Sequence, residues 1–266
     1  MKDNPVGVFD SGVGGLTVVR QLTREMPNED IIYFGDTARV PYGTKSPSTI
    51  KKFSIENVLF LMNFNVKLII IACNTSSAIG LPFLSRYFSV PIIGVIKPGA
   101  KAAVRSTRNG RIGVIGTTAT ISSKAYENEI KALDPKMKVY SRDCPLFVPL
   151  VEEGWADYGI VDIAAGKYLA GLKMKKIDTL ILGCTHYPLL KTAVQRIMGR
   201  AVKLVDSAEE TAKEAKNLLE ECGLKYPGKR AGRSKFYVSD APDKFLMVAK
   251  RFLGKDVKTA DQVKDV

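Results

Sequence analysis

Two of the four cysteines, Cys73 and Cys184, occupy the same kind of place in this 266-residue chain. Each follows a β-branched run, Leu68-Ile69-Ile70-Ile71-Ala72 and Thr179-Leu180-Ile181-Leu182-Gly183. Each precedes polar residues suited to starting a helix, Asn74-Thr75-Ser76-Ser77 and Thr185-His186-Tyr187-Pro188. A thiol at a helix start feels a positive partial charge and free N–H groups, which lower an ordinary pKa of about 8.5 toward neutrality. Such a thiol can take and return a proton. His186, the only histidine, stands two positions after Cys184, within reach of that thiol or of a substrate. Cys-x-His lacks the spacing of a structural zinc site, and no second histidine could join it, so no metal is expected. No Cys-x-x-Cys pair exists, which excludes zinc ribbons and thioredoxin-type redox motifs.

Other polar segments sit at similar junctions. Gly12-Val13-Gly14-Gly15 fails as a nucleotide loop, because Thr17 stands where a further glycine is needed and no Gly-Lys-Ser/Thr follows. It reads as a tight strand-to-helix turn exposing Asp10 and Ser11. Thr117-Thr118-Ala119-Thr120 offers hydroxyls and N–H groups at a helix start, which suit a carboxylate. Pro41-Tyr42-Gly43 reads as an exposed turn whose backbone can approach a ligand.

The elements that must position these residues alternate. Val6 to Phe9, Ile31 to Phe34, Leu68 to Ala72 and Pro91 to Val95 read as strands; Leu16 to Met26, Thr49 to Phe64 and Ser77 to Phe88 read as helices. The pattern then restarts. Strands are predicted at Arg111 to Gly116, Lys138 to Tyr140, Thr179 to Leu182 and Val202 to Val205. Helices are predicted at Ser123 to Leu133, Ile160 to Gly171, Leu189 to Met198 and Ala208 to Glu221. Continuous β-branched runs between helices argue for parallel sheets covered on both faces. Asp10 precedes Cys73 by 63 residues, and Thr117 precedes Cys184 by 67, so the halves look like a weak internal repeat. The expected fold is α/β: two pseudo-symmetric domains with mainly parallel sheets and the active site in the cleft between them. The first domain is expected over 1–97 plus 207–266, and the second over 98–206. Equivalent strand ends would then face each other, as suits a reaction needing the same group on both sides of one atom.

Composition narrows the class. Hydrophobic residues make up 45% and charged residues 25%, as in a folded globular chain. No run approaches the roughly 20 apolar residues of a membrane helix. Met1 to Pro5 has no apolar signal region, so a cytoplasmic protein with free thiols is expected. The net charge of +13 could attract a nucleic acid. Its lysines and arginines are scattered without a binding motif, so the charge reads as a solvated surface and a nucleic-acid partner is not expected.

The chain resembles the glutamate racemases of the aspartate/glutamate racemase superfamily. The matching segments are Val8 to Leu16, Gly35 to Gly43, Ala72-Cys73-Asn74-Thr75, Gly113 to Thr117, Cys144 to Gly154 and Leu182 to Leu189. They run in order over roughly residues 5 to 210; the tail beyond about Pro227 carries no diagnostic segment. The resemblance implies a cofactor-independent racemase that supplies D-glutamate for peptidoglycan. Cys73 would act on the D enantiomer and Cys184 on the L. Asp10 would assist near Cys73, and His186 near Cys184 with Glu152 close by. Asp10, Ser11, Tyr42, Gly43, Asn74, Thr75, Thr117, Thr120, Thr185 and His186 would hold the substrate. Asp36 would be structural, and Cys144 buried and inert. No pyridoxal-lysine signature is evident, so no cofactor is expected. The expected partner is glutamate, with aspartate the nearest competitor, and a homodimer is possible.

Overall fold

The structure, a computed structural model, describes residues 1–255 and 257–264. In chain order it begins with β1 (Val6–Asp10), α1 (Leu16–Glu25), β2 (Ile31–Gly35), α2 (Pro47–Met62), β3 (Leu68–Ile71), α3 (Asn74–Ile79), α4 (Leu81–Tyr87), β4 (Ile92–Gly94) and α5 (Ile96–Ser106). A second series follows: β5 (Arg111–Gly116), α6 (Thr118–Ser122), α7 (Ala125–Leu133), β6 (Lys138–Asp143), α8 (Phe147–Glu152), α9 (Gly159–Met174), β7 (Thr179–Gly183), α10 (Lys191–Met198), β8 (Lys203–Asp206) and α11 (Ser207–Glu221). Then come β9 (Ser234–Val238), α12 (Pro242–Leu253) and β10 (Asp261–Gln262).

These strands form two sheets, β10-β9-β2-β1-β3-β4 and β6-β5-β7-β8, and every pair is parallel. The order β2-β1-β3-β4 recurs as β6-β5-β7-β8, so the repeat suspected from sequence is topological. β1, β3 and β7 are buried at every residue, as strands covered on both faces must be. The amphipathic α1 buries Leu16, Val18, Val19 and Leu22 and packs on α11, which also packs on α5. Burying each of these leucines contributes roughly 1.5–3 kcal/mol.

Three predicted helices are shorter or broken. The helix expected over Ser77 to Phe88 is two, α3 and α4, parted at Gly80. Pro82, in the first turn of α4, has no N–H to continue the α3 ladder. The helix expected from Ser123 begins at Ala125, after Lys124 adopts a left-handed φ of 54°. The one expected from Leu189 is a 3-10 turn, Tyr187–Leu190, running into α10. The tail that carried no signal forms β9, which pairs with β2, and α12, which packs on α1.

Candidate active site

Both thiols stand just beyond the carboxyl ends of parallel strands, where such sheets leave a crevice for ligands. Gly116 pairs with Gly183, so Thr117 and Cys184 leave their sheet side by side. In the other sheet Phe9 pairs with Ile71, which brings Ser11 level with Cys73. Ser11 Oγ and Cys73 Sγ lie 3.7 Å apart. Ser11 rather than Asp10 is therefore the counterpart of Thr117. Between the two sets of strand ends lies a cavity of about 340 Å3. Ser11, Tyr42, Gly43, Cys73, Asn74, Thr75, Thr117, Glu152, Cys184, Thr185 and His186 line it.

On the first side, Cys73 caps α3 and its sulfur accepts from the Ser76 N–H at 3.5 Å. The helix start is where the sequence placed it, yet the thiol is not lowered. Burial, reinforced by the nearby Asp10 carboxylate, pushes Cys73 up to about 11, and the Ser76 N–H offsets only part of this. Asp10 is not exposed by its turn, as expected from sequence, but buried, with Oδ2 accepting from Gly12 N at 3.0 Å. Burial raises its pKa as well, against the opposing pull of His186. Thr120 also sits behind the cavity wall. Its hydroxyl meets those of Thr117 at 2.9 Å and Thr75 at 3.2 Å, and Thr75 and Thr117 are 2.9 Å apart. This hydroxyl cluster joins the start of α3 to the start of α6.

On the second side, His186 Nδ1 lies 3.8 Å from Cys184 Sγ, and Nε2 lies 2.9 Å from Glu152 Oε1. Burial alone would lower this imidazole. The Cys184 sulfur and the Glu152 carboxylate outweigh it and raise His186 to about 10, so the ring carries a proton at neutral pH. Burial works against ionisation of Glu152 too, but the His186 contact holds its carboxyl below the ordinary range. The two loops meet closely at Gly14. A Cβ there would lie 2.3 Å from Thr185 Oγ1 and 2.5 Å from the His186 ring, and Thr17 Oγ1 donates to Thr185 O at 3.0 Å. The glycine-rich turn thus serves close approach between the halves, not phosphate binding.

Residues 11–215 match the Asp/Glu/Hydantoin racemase family. The chain belongs to that family. A glutamate racemase of Geobacter metallireducens is 51% identical over 258 residues, spanning 97% of this chain and 96% of that protein. The structure of glutamate racemase isoform RacE1 from Bacillus anthracis superposes with a TM-score of 0.96 at 41% identity, covering 99% of this chain and 98% of that one. The Francisella tularensis glutamate racemase, solved in complex with D-glutamate, gives 0.93 at 43% identity with the same coverage.

Within this racemase fold, one sequence expectation needs correction in detail. The turn at Pro41-Tyr42-Gly43 does line the cavity, but the Tyr42 side chain is buried and its hydroxyl is bound to Asp36 Oδ2 and Asn57. Tyr42 therefore offers its backbone and ring rather than its hydroxyl. Asp36, fully buried, also holds Arg39 Nε at 2.6 Å and Ser239 Oγ at 3.0 Å, a structural hub as expected. Cys144 is fully buried with its thiol pushed far up by burial. The sequence reading missed the apolar wall of Pro145, Val148 and Pro149. The spacing of Val148, Pro149 and Glu152 on one helix face was the available signal. It also missed Tyr126, whose hydroxyl reaches Asn74; nothing in the sequence around Tyr126 marks it.

Proposed function

We propose that this chain interconverts L- and D-glutamate without a cofactor, Cys184 and Cys73 serving as acid and base on opposite faces of the α-carbon. The observation that carries the reading is the single cavity walled by both thiols, each from the equivalent strand end of a repeated sheet. Glutamate racemases such as the one at 51% identity support the substrate. In the L-to-D direction Cys184 takes the α-proton, and the protonated His186, held by Glu152, stands beside its sulfur. Cys73, whose buried thiol holds its proton tightly, delivers that proton to the other face. The weakly acidic α-carbon is the main barrier. Asn74, Thr75, Thr117 and Thr185 offer donors for the dianion that develops, which preorganised dipoles in a water-poor cavity stabilise.

Residues 1–97 with 207–266, and residues 98–206, form the two domains of this reading, closing on the substrate. Ser11, Tyr42, Gly43, Asn74, Thr75, Thr117, Thr185 and His186 hold it, with Asp10 and Thr120 acting from behind the wall. Among the described residues no helix is long and apolar enough to cross a membrane. A cytoplasmic homodimer supplying D-glutamate for peptidoglycan completes the proposal.

Circular dichroism of L-glutamate and L-aspartate with dialysed protein tests it. Glutamate ellipticity should decay to zero without additions, while aspartate should not change. Cys73→Ala and Cys184→Ala should each slow the decay by orders of magnitude, whereas Cys144→Ala and Cys222→Ala should not. Racemisation of aspartate alone, or activity restored only by pyridoxal phosphate, would overturn the reading.

A further inference from the structure

We propose that Tyr126 is a positioning residue that turns the donor edge of Asn74 toward the substrate and ties together the loops bearing the two thiols. The inference rests on the racemase reading and adds a residue to it. Tyr126 lies in the first turn of α7, on the β5–β8 side of the molecule, and is 2% exposed. Its hydroxyl crosses to the other side and donates to Asn74 Oδ1 at 2.8 Å. Asn74 directly follows Cys73, is buried, and lines the cavity. Its Nδ2 is buried and has no hydrogen-bond partner among the described residues. A buried amide donor left without a partner costs free energy, on the order of 1–3 kcal/mol. In a site that must bind a carboxylate, such a donor is where a ligand oxygen gains most.

The phenol decides which edge of the amide is left free. An amide has two nearly isosteric ends, one accepting and one donating. With Oδ1 bound to the Tyr126 hydrogen, the donating end is left for the substrate. Turned over, the amide would present a carbonyl oxygen to an anionic ligand. The Tyr126 ring is itself closely confined. A Cβ on Gly183, the residue before Cys184, would lie 3.0 Å from Tyr126 Cε2, and one on Gly99 of α5 would lie 3.3 Å from Cε1. One side chain thus bonds the residue after Cys73 and fills the space that a side chain at the residue before Cys184 would need. Ser207, near the same phenol, directs its own hydroxyl to Leu182 O at 3.3 Å.

The test is a double-mutant cycle of Tyr126→Phe with Asn74→Ala, reading KM and kcat for both enantiomers. Tyr126→Phe should raise KM about tenfold for L- and D-glutamate, on the order of one hydrogen bond to a charged group, while kcat falls less than about threefold. In the Asn74→Ala background the same change should have no further effect, because Tyr126 acts through that amide. p-Aminophenylalanine at position 126, which keeps a donor at the ring tip, should restore KM. A merely structural tyrosine would lose equally in both backgrounds and would not be rescued. An unchanged KM in Tyr126→Phe, or equal losses in both backgrounds, would overturn the proposal. If Tyr126→Phe does not fold, the p-aminophenylalanine variant decides alone: a KM near wild type supports the proposal, and a tenfold rise overturns it. Wild-type protein inactive on glutamate would overturn the racemase reading and this proposal with it. Wild-type activity with insensitive variants would overturn the positioning role only.

Discussion

A buried imidazole gives up its proton unless neighbours hold it, and His186 has two such neighbours, the Cys184 sulfur at 3.8 Å and the Glu152 carboxylate at 2.9 Å. Its folded pKa of about 10 lies above the ordinary 6.5, so folding favours the protonated ring. A raised pKa adds stability that is fully present below about pH 6.5 and is lost as pH rises toward about 10. The melting temperature of the wild type should therefore fall across that window, and that of His186→Asn should fall less steeply. Parallel curves for the two proteins would show that the ring is not held protonated. Cys73 adds a decline of the same sign at higher pH, because burial raises it from 9.0 to about 11. That is the reverse of the lowered thiol expected from its place at a helix start. The sequence shows the helix start, but a six-residue helix gives few aligned dipoles, and the depth of burial is not a local property.

The elements that hold the site meet through small residues. Gly14 sits in the turn between β1 and α1, and any side chain there would enter the space of Thr185 and His186. Its φ is not positive, so what it needs is room rather than backbone freedom. Gly14→Ala should destabilise the fold by roughly 1–3 kcal/mol, as overpacking does, and should displace His186 enough to remove most of the activity. Urea denaturation and kcat measured together check this; wild-type values for both would mean that the loops part without cost. The same turn shows how far sequence carries at this scale. Glycines between a strand and a helix marked a tight turn, but not that its partner was a loop some 170 residues away, since Gly14 and Thr185 share no sequence pattern.

Across the whole molecule, the two recurrent sheets set two thiols around one cavity. If they address opposite faces of the substrate, the proton delivered is not the one removed, because the delivering thiol has exchanged with solvent. In D2O, D-glutamate formed from L-glutamate should carry deuterium at the α-carbon, while L-glutamate recovered early stays protiated. Mass spectrometry of the separated enantiomers at low conversion measures both. Early deuteration of recovered L-glutamate would point to a single base serving both faces and would sink the arrangement proposed for Cys73 and Cys184.

Local chemistry determined much of this protein. Continuous β-branched runs require strands covered on both faces, and each thiol's place between such a run and a helix start is written in consecutive residues. So is the alternation that makes the sheets parallel. The tertiary structure alone decided what depends on distant neighbours. It put Ser11 rather than Asp10 level with Cys73, because strand register is set by pairing between β1 and β3. It buried Asp10 and Thr120 behind the wall and turned the Tyr42 hydroxyl toward Asp36. It recruited β9 and α12 from a tail without a pattern, since that strand and the helix after it gain their stability from the β2 ladder and from α1. It brought Tyr126 to Asn74 across 52 residues of chain, a contact made possible only by the packing of one half against the other.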